Sequence, residues 1–197
     1  MVTGHVRVNI TATASGAYRL DRFLTAEKRK AGRAAEAYAK RHGLDQLTGP
    51  AAAAVKAQIR DRAQARRDAG KLFDIQDLAV AEAVRRALDA RGLDLDHLPE
   101  VEAGFDLPGR PLGASGIPFG VPMNATIPRA YFAGVAAAAW IASKPVIYKL
   151  REWDERHGYD PTVPGGLLTA DEWAARQEIT SQITTRGDIY REALETF

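Results

Sequence analysis

The chain has 197 residues, 46% of them hydrophobic and 26% charged, a composition typical of a folded globular protein and not of a disordered one. It contains no cysteine, which excludes disulfides, thiolate metal sites and a cysteine nucleophile. The net charge of +2 is unevenly divided: residues 1–100 hold 18 basic and 13 acidic side chains, whereas residues 101–197 hold 9 and 12. The first half therefore favours an acidic partner, either a protein or nucleic acid.

Residues 1–14 have the pattern of a half-buried strand. Val6, Val8 and Ile10 alternate with polar residues at a period of two. This strand needs a partner, and we expect it either in the stretch EVEAGFDL near Val101 or in another subunit. The N-terminus lacks the continuous apolar run of a secretory signal, so we expect a cytoplasmic protein, or a virion protein if a phage encodes it.

Two basic helices are predicted next, one from about Asp21 to His42 and one from Thr48 to Gly70. Residues 19–71 hold 14 basic and 6 acidic side chains. A solvated helix face explains this pattern, and binding of phosphate or of an acidic partner is the alternative. The candidate residues for such binding are Arg22, Arg29, Arg33, Lys40, Arg60 and Arg67.

A third helix is predicted to begin at an Asp74 cap and to end at Gly92. The stretch that follows brings Asp94, Asp96 and His97 close together. It lacks the further oxygen ligands and the glycine of a calcium loop, so we predict a solvated turn and no metal.

Residues 108–128 are predicted to form a long extended arm. No charge occurs between Arg110 and Arg129, and four prolines forbid a continuous helix. So apolar a segment is expected to wrap the domain or to dock into a neighbouring subunit. The candidate partner-binding residues in it are Ile117, Phe119, Val121 and Met123.

The most apolar stretch runs from Arg129 to Leu150, and its uncharged part, Ala130 to Ser143, is predicted to be a core helix. This part has only fourteen uncharged residues, fewer than the ~20 that cross a bilayer. We therefore predict no transmembrane span. Pro145 either starts the next helix or kinks a continuous one.

Residues 169–197 are predicted to form a C-terminal helical segment that opens with a capping box of Thr169 and Glu172. Apolar positions recur with helical spacing up to the last residue, so the segment is expected to dock, on its own domain or on a partner. We assign partner binding to the last three of these positions, Tyr190, Leu194 and Phe197.

No motif for catalysis is recognisable. The glycines around Ser115 match neither a phosphate loop nor a nucleophile elbow. Asp154 and His157 would share a helix face, but no second half of a metal or acid–base site accompanies them. The sequence therefore predicts no catalytic residue, no metal and no cofactor.

Together these patterns predict a mainly α fold: a single domain of five to six helices with an N-terminal strand and an extended arm. We interpret the protein as a non-enzymatic structural or assembly subunit that forms a homo-oligomer or part of a larger complex. A phage virion component of the head–tail connector type shares this outline, although no motif supports it. The alternatives are an accessory protein that makes non-specific contact with nucleic acid through residues 19–71, and an enzyme with an unrecognised site.

Overall fold

The computed structural model describes residues 4–102, 120–160 and 168–197. Within these ranges the fold is mainly helical with a short N-terminal strand, as predicted. The candidate partner-binding residues Ile117 and Phe119 lie outside the described residues, as does Ser115. The elements are β1 (His5–Ala12), α1 (Ala14–Arg41), a short 3-10 helix (Leu44–Gln46), α2 (Gly49–Asp68), α3 (Gln76–Ala90), β2 (Val121–Pro128), α4 (Arg129–Arg156), α5 (Ala170–Ser181) and α6 (Arg186–Glu195).

The two strands form an antiparallel ribbon. Val8 lies opposite Ala125, and Ile10 lies opposite Met123. The partner of β1 is therefore β2, and the predicted pairing near Val101 is wrong. Residues 121–128 are a strand of the body and not part of a free arm, and Met123 is half-buried against the chain's own core, so its assignment to partner binding stays a prediction. Val121, at the start of β2, remains 39% exposed.

The strand β2 was not predicted from the sequence because it contains two prolines. Pro122 and Pro128 lie at the two ends of the strand, opposite Thr11 and His5, and proline is tolerated at strand ends and edges. Between them Ala125 and Ile127 are buried, which is the period-two alternation of a half-buried strand.

The main core lies between the ribbon and helices α3, α4 and α6. Leu88 of α3 and Ile189 of α6 are fully buried. Gly134 lets α4 approach α3 closely, because a Cβ at that position would lie 2.8 Å from Leu88 Cδ1 and 2.8 Å from Leu95 Cδ2. Small residues on α4 thus set the distance between the two helices.

Helix α4 continues through Pro145, which resolves the alternative between a new helix and a continuous one. It is the one helix of the described ranges that is long and apolar enough to span a membrane, and 44% of its most apolar window is buried in the body. Its buried positions include Val135, Ala138 and Trp140. This packing favours the core helix that the sequence predicts.

The C-terminal segment divides into two capped helices. The predicted capping box of Thr169 and Glu172 opens α5, and a second box of Thr185 and Asp188 opens α6. The continuous apolar seam is therefore interrupted at residues 182–185, before Gly187. A threonine followed three residues later by an aspartate was the available signal for the second box.

Helix α6 docks on its own chain. Tyr190 and Leu194 are 5% and 1% exposed in the main core, and Phe197 stacks on Phe23 with 4.4 Å between ring centroids. Burial in the chain's own core corrects the assignment of Tyr190 and Leu194 to partner binding, whereas that of the half-buried Phe197 stays a prediction. Burial raises the pKa of Tyr190 to about 12, and its hydroxyl has no hydrogen-bond partner in the part of the chain that the structure describes.

The chain between α5 and α6 is fixed to α4 by one serine. Ser143 is fully buried; its Oγ donates a hydrogen bond to Thr184 O at 2.8 Å and accepts one from Thr184 N at 2.9 Å. Trp140, Ile147 and Ile183 form a small second apolar cluster beside it. The connection between α5 and α6 is thus held by both polar and apolar contacts.

Helices α1 and α3 begin elsewhere than predicted. Thr13 caps α1 by accepting a hydrogen bond from Gly16 N at 2.9 Å, so α1 starts seven residues before Asp21. Thr13 Oγ1 also donates to Glu195, which joins the start of α1 to the end of α6. Asp74 does not cap α3, which begins at Gln76, because Arg67 binds its carboxylate.

Candidate protein interface on the helical hairpin

Helices α1 and α2 form a hairpin whose outer part is largely uncovered. Of the 28 residues of α1 only Gly16, Leu20 and Glu27 are buried, and of the 20 residues of α2 only Val55 is. Helix α2 packs mainly on α1. Isolated helices are marginal in water and gain most of their stability from packing, so a hairpin this exposed leaves room for a further partner.

Two polar contacts fix the base of the hairpin to the body. Glu27 is 9% exposed, accepts a hydrogen bond from Phe73 N at 3.1 Å and pairs with Lys30 at 3.1 Å. Arg67 binds both carboxylate oxygens of Asp74 at 2.8 Å. These bonds hold the pKa of Asp74 below its usual range, although burial of the carboxyl opposes the shift. The hairpin is therefore anchored at its base while its outer part is free.

An apolar groove of about 170 Å³ runs between the two helices. Its floor is made by alanines, Ala31, Ala34 and Ala35 from α1 and Ala63 from α2. Small side chains on facing helices leave space that larger ones would fill, and this space opens to solvent.

Arginines line the rim of this groove. Arg62 lies over the Tyr38 ring, with its Cζ 4.3 Å from the ring centroid, and Arg66 lies one turn further on. Tyr38 donates a hydrogen bond to Gln58 at 2.8 Å, which fixes the ring. Neither arginine forms an ion pair within the described ranges. The groove therefore combines an apolar floor with uncompensated positive charge.

Most of the predicted basic residues project from the hairpin into solvent. None of the set forms an ion pair with another described residue except Arg67, and Arg22 has only a cation–π contact at 5.9 Å with Tyr18. The prediction of a binding role for Arg67 is corrected, because its guanidinium is occupied by Asp74. The exposed residues are Arg22, Arg29, Arg33, Lys40 and Arg60.

The residues considered for metal or acid–base chemistry are engaged in structural contacts. Asp154 is bound by Arg176 at 2.8 and 3.0 Å, whereas His157 stacks on Trp153 and its Nδ1 lies 2.8 Å from Trp153 O. The shared helix face predicted for Asp154 and His157 therefore produces no contact between them.

The Asp94 turn is likewise a local structure. Asp94 Oδ2 lies 2.8 Å from His97 Nδ1, and Asp94 Oδ1 accepts from Asp96 N at 2.9 Å, with both side chains largely exposed. The bond to Asp94 raises the pKa of His97. Across residues 4–102, 120–160 and 168–197, no group of three His, Cys, Asp or Glu side chains is placed to hold a metal ion.

Comparison with known proteins gives no assignment. No family model, no curated protein and no solved structure matches this chain. The geometry of the hairpin is therefore what bears on function.

Sequence reading identified the basic residues of this surface but missed the groove. The alanines that form its floor have no chemical signature, and only the pairing of α1 with α2 brings them together. The signal that could have indicated it was the weak apolar face of α2, which has too few large side chains to cover α1.

Proposed function

We propose that the protein is an assembly subunit without a catalytic role, which oligomerises through the α1–α2 hairpin. The observation that carries the proposal is the solvent-open groove between two helices that are otherwise almost unburied. A virion or connector subunit is one example of this class.

The hairpin has the construction of a docking element. Its base is fixed by Glu27 and by the Arg67–Asp74 pair, so its position relative to the body is defined. Its groove presents an apolar floor with a charged rim, which is the usual anatomy of a protein interface. A docking element of this kind supports assembly better than catalysis, which would require convergent titratable groups in a pocket.

The expected result is a solution mass that is a multiple of the 21.4 kDa chain mass, measured by light scattering over a range of concentrations. Self-association through an open groove requires a solution mass larger than that of one chain. A mass of 21.4 kDa at every concentration would contradict the proposal. Deletion of the arm is not a suitable control unless it spares β2, because loss of Val121–Pro128 removes the strand that pairs with β1.

Non-specific binding of nucleic acid is the second candidate. It is favoured by the exposed cations on the hairpin, which lack ion pairs among the described residues. Cations of this kind bind phosphates without reading sequence, and no base-reading element accompanies them.

If the hairpin binds duplex DNA, affinity should be independent of sequence and should fall steeply with salt. Changing Arg29 and Arg33 to glutamine should reduce the slope of log K against log salt by about 2, one unit for each lost phosphate contact. Fluorescence anisotropy with two unrelated duplexes measures this slope. Arg86→Gln is the matched control, since Arg86 is already paired with Glu82 at 2.7 Å. An unchanged slope in the double variant would eliminate this candidate.

A further inference from the structure

Helix α5 is the acidic counterpart of the basic hairpin. It carries three acidic residues and one arginine, and that arginine, Arg176, is bound to Asp154 of α4. Helix α2 carries five basic and two acidic residues. Ile179 is the one buried residue of α5, Glu172, Arg176 and Thr180 are half-buried, and the remaining residues of the helix are exposed.

The exposed side of α5 is complementary in charge to the rim of the groove. Ala170 and Ala174 lie one turn apart and are exposed, so the first turn of this face can approach another helix closely, and Gln177 follows them on the same face. Asp171 and Glu178 lie along one edge of the face, and both are exposed. Trp173 lies at the other edge with 43% of its surface exposed.

We infer that helix α5 of a second copy of this chain packs across the groove between α1 and α2, whose volume of about 170 Å³ admits side chains of that helix. The alanine face of α5 lies on Ala31, Ala34 and Ala35, and its acidic edge meets Arg62 and Arg66 at the rim. The inference rests on the proposed assembly function and names its contact. Opposite charge on the two surfaces aligns the helix and disfavours association between two hairpins, both of which are basic.

Groove and helix are different surfaces of the chain. Two copies can each bind α5 of the other in their grooves and form a closed dimer. Alternatively, each copy can bind α5 of the next copy and build a ring or a filament. Both arrangements place Ala34 of one copy near Ala174 of another.

Cross-linking between copies tests this contact directly, because the natural chain has no cysteine. Ala34→Cys and Ala174→Cys are prepared as separate variants of the full chain, at positions that are both exposed. Mixed under mild oxidation, they are expected to form a disulfide-linked pair of chains. The matched control replaces Ala34→Cys with Ala65→Cys, which is exposed on α2 but does not line the groove.

A charge-reversal pair provides the second measurement. Arg62→Glu with Arg66→Glu is expected to weaken self-association by about tenfold or more, and Asp171→Lys with Glu178→Lys in the same chain is expected to restore it. Light scattering measures the association, and circular dichroism shows that each variant is folded.

The outcomes separate this inference from the proposed function. An oligomer that persists in the Arg62/Arg66 variant, with no more cross-linking than the Ala65 control, overturns the α5 contact and leaves assembly in place. A natural chain that is monomeric at every concentration overturns both. Selective cross-linking together with rescue of the oligomer by the reversed charges supports the contact.

Discussion

Replacing Ser143 with alanine is expected to lower the free energy of unfolding by about 2–4 kcal/mol, since two partly buried backbone groups of Thr184 lose their partner at about 1–3 kcal/mol each. Ser143 Oγ both donates to Thr184 O and accepts from Thr184 N. Alanine removes the oxygen without adding volume, so the two groups of Thr184 are left without a replacement. The change also loosens the connection between α5 and α6.

Chemical denaturation of the natural chain and the variant measures this loss. Ser181→Ala is the matched control, because it removes a serine hydroxyl from an exposed position near the end of α5. Surface substitutions of this type change stability by about 0.5 kcal/mol or less. Equal effects at the two serines would show that the Ser143–Thr184 contact does not stabilise the fold.

Replacing Gly134 with valine is expected to destabilise the fold by about 3 kcal/mol through overpacking. The Cβ alone would lie 2.8 Å from Leu88 Cδ1 and 2.8 Å from Leu95 Cδ2, and valine adds two further carbons. Leu88 is fully buried and cannot move into solvent. Both contacts are with the ends of leucine side chains, so either Leu88 and Leu95 take other rotamers or α3 shifts away from α4.

The same contact predicts a compensating pair. Leu88→Ala alone should cost about 3 kcal/mol, because it leaves a cavity. Combined with Gly134→Val, the three carbons that leave α3 are replaced by three that arrive from α4, so the double variant should be more stable than the sum of the single effects by about 1–3 kcal/mol.

Thermal or chemical denaturation of the four chains gives this coupling energy. Gly32→Val is the control for the helix propensity of valine, since a Cβ at Gly32 meets nothing within 4 Å. Strict additivity of Leu88→Ala and Gly134→Val would mean that α3 and α4 do not approach each other at these residues.

Several helix ends were predictable because their signals are local, whereas the starts of α1 and α3 were not. Thr48 with Pro50, Gly92, and the box of Thr169 and Glu172 lie at or beside the helix ends in the structure. The strand β2 and the divided C-terminal segment were not predicted. In β2 the terminal prolines dominate a short alternating pattern, and in the C-terminal segment an uninterrupted apolar period obscured the second capping box.

The roles of individual side chains depended on contacts between residues far apart in sequence. Asp154 pairs with Arg176 of α5 and not with His157, with which it shares a helix face. Nothing in the sequence around Ser143 indicates that its hydroxyl forms hydrogen bonds with the backbone of Thr184. Helical periodicity assigns a residue to a face, but only the packed structure determines what that face meets.

The length of the hairpin is independent of the contacts that attach it to the body. Glu27 and Arg67 hold its base to the body, while the stretches between them, including the turn at Leu44–Gln46, contribute little to the main core. Adding two helical turns to each arm, about seven residues, would carry the tip roughly 10 Å further out without altering either anchor. A partner bound in the groove would keep its position relative to the body, because the groove residues Ala31 and Arg66 lie beside the two anchors, and the added turns would extend only the tip beyond it.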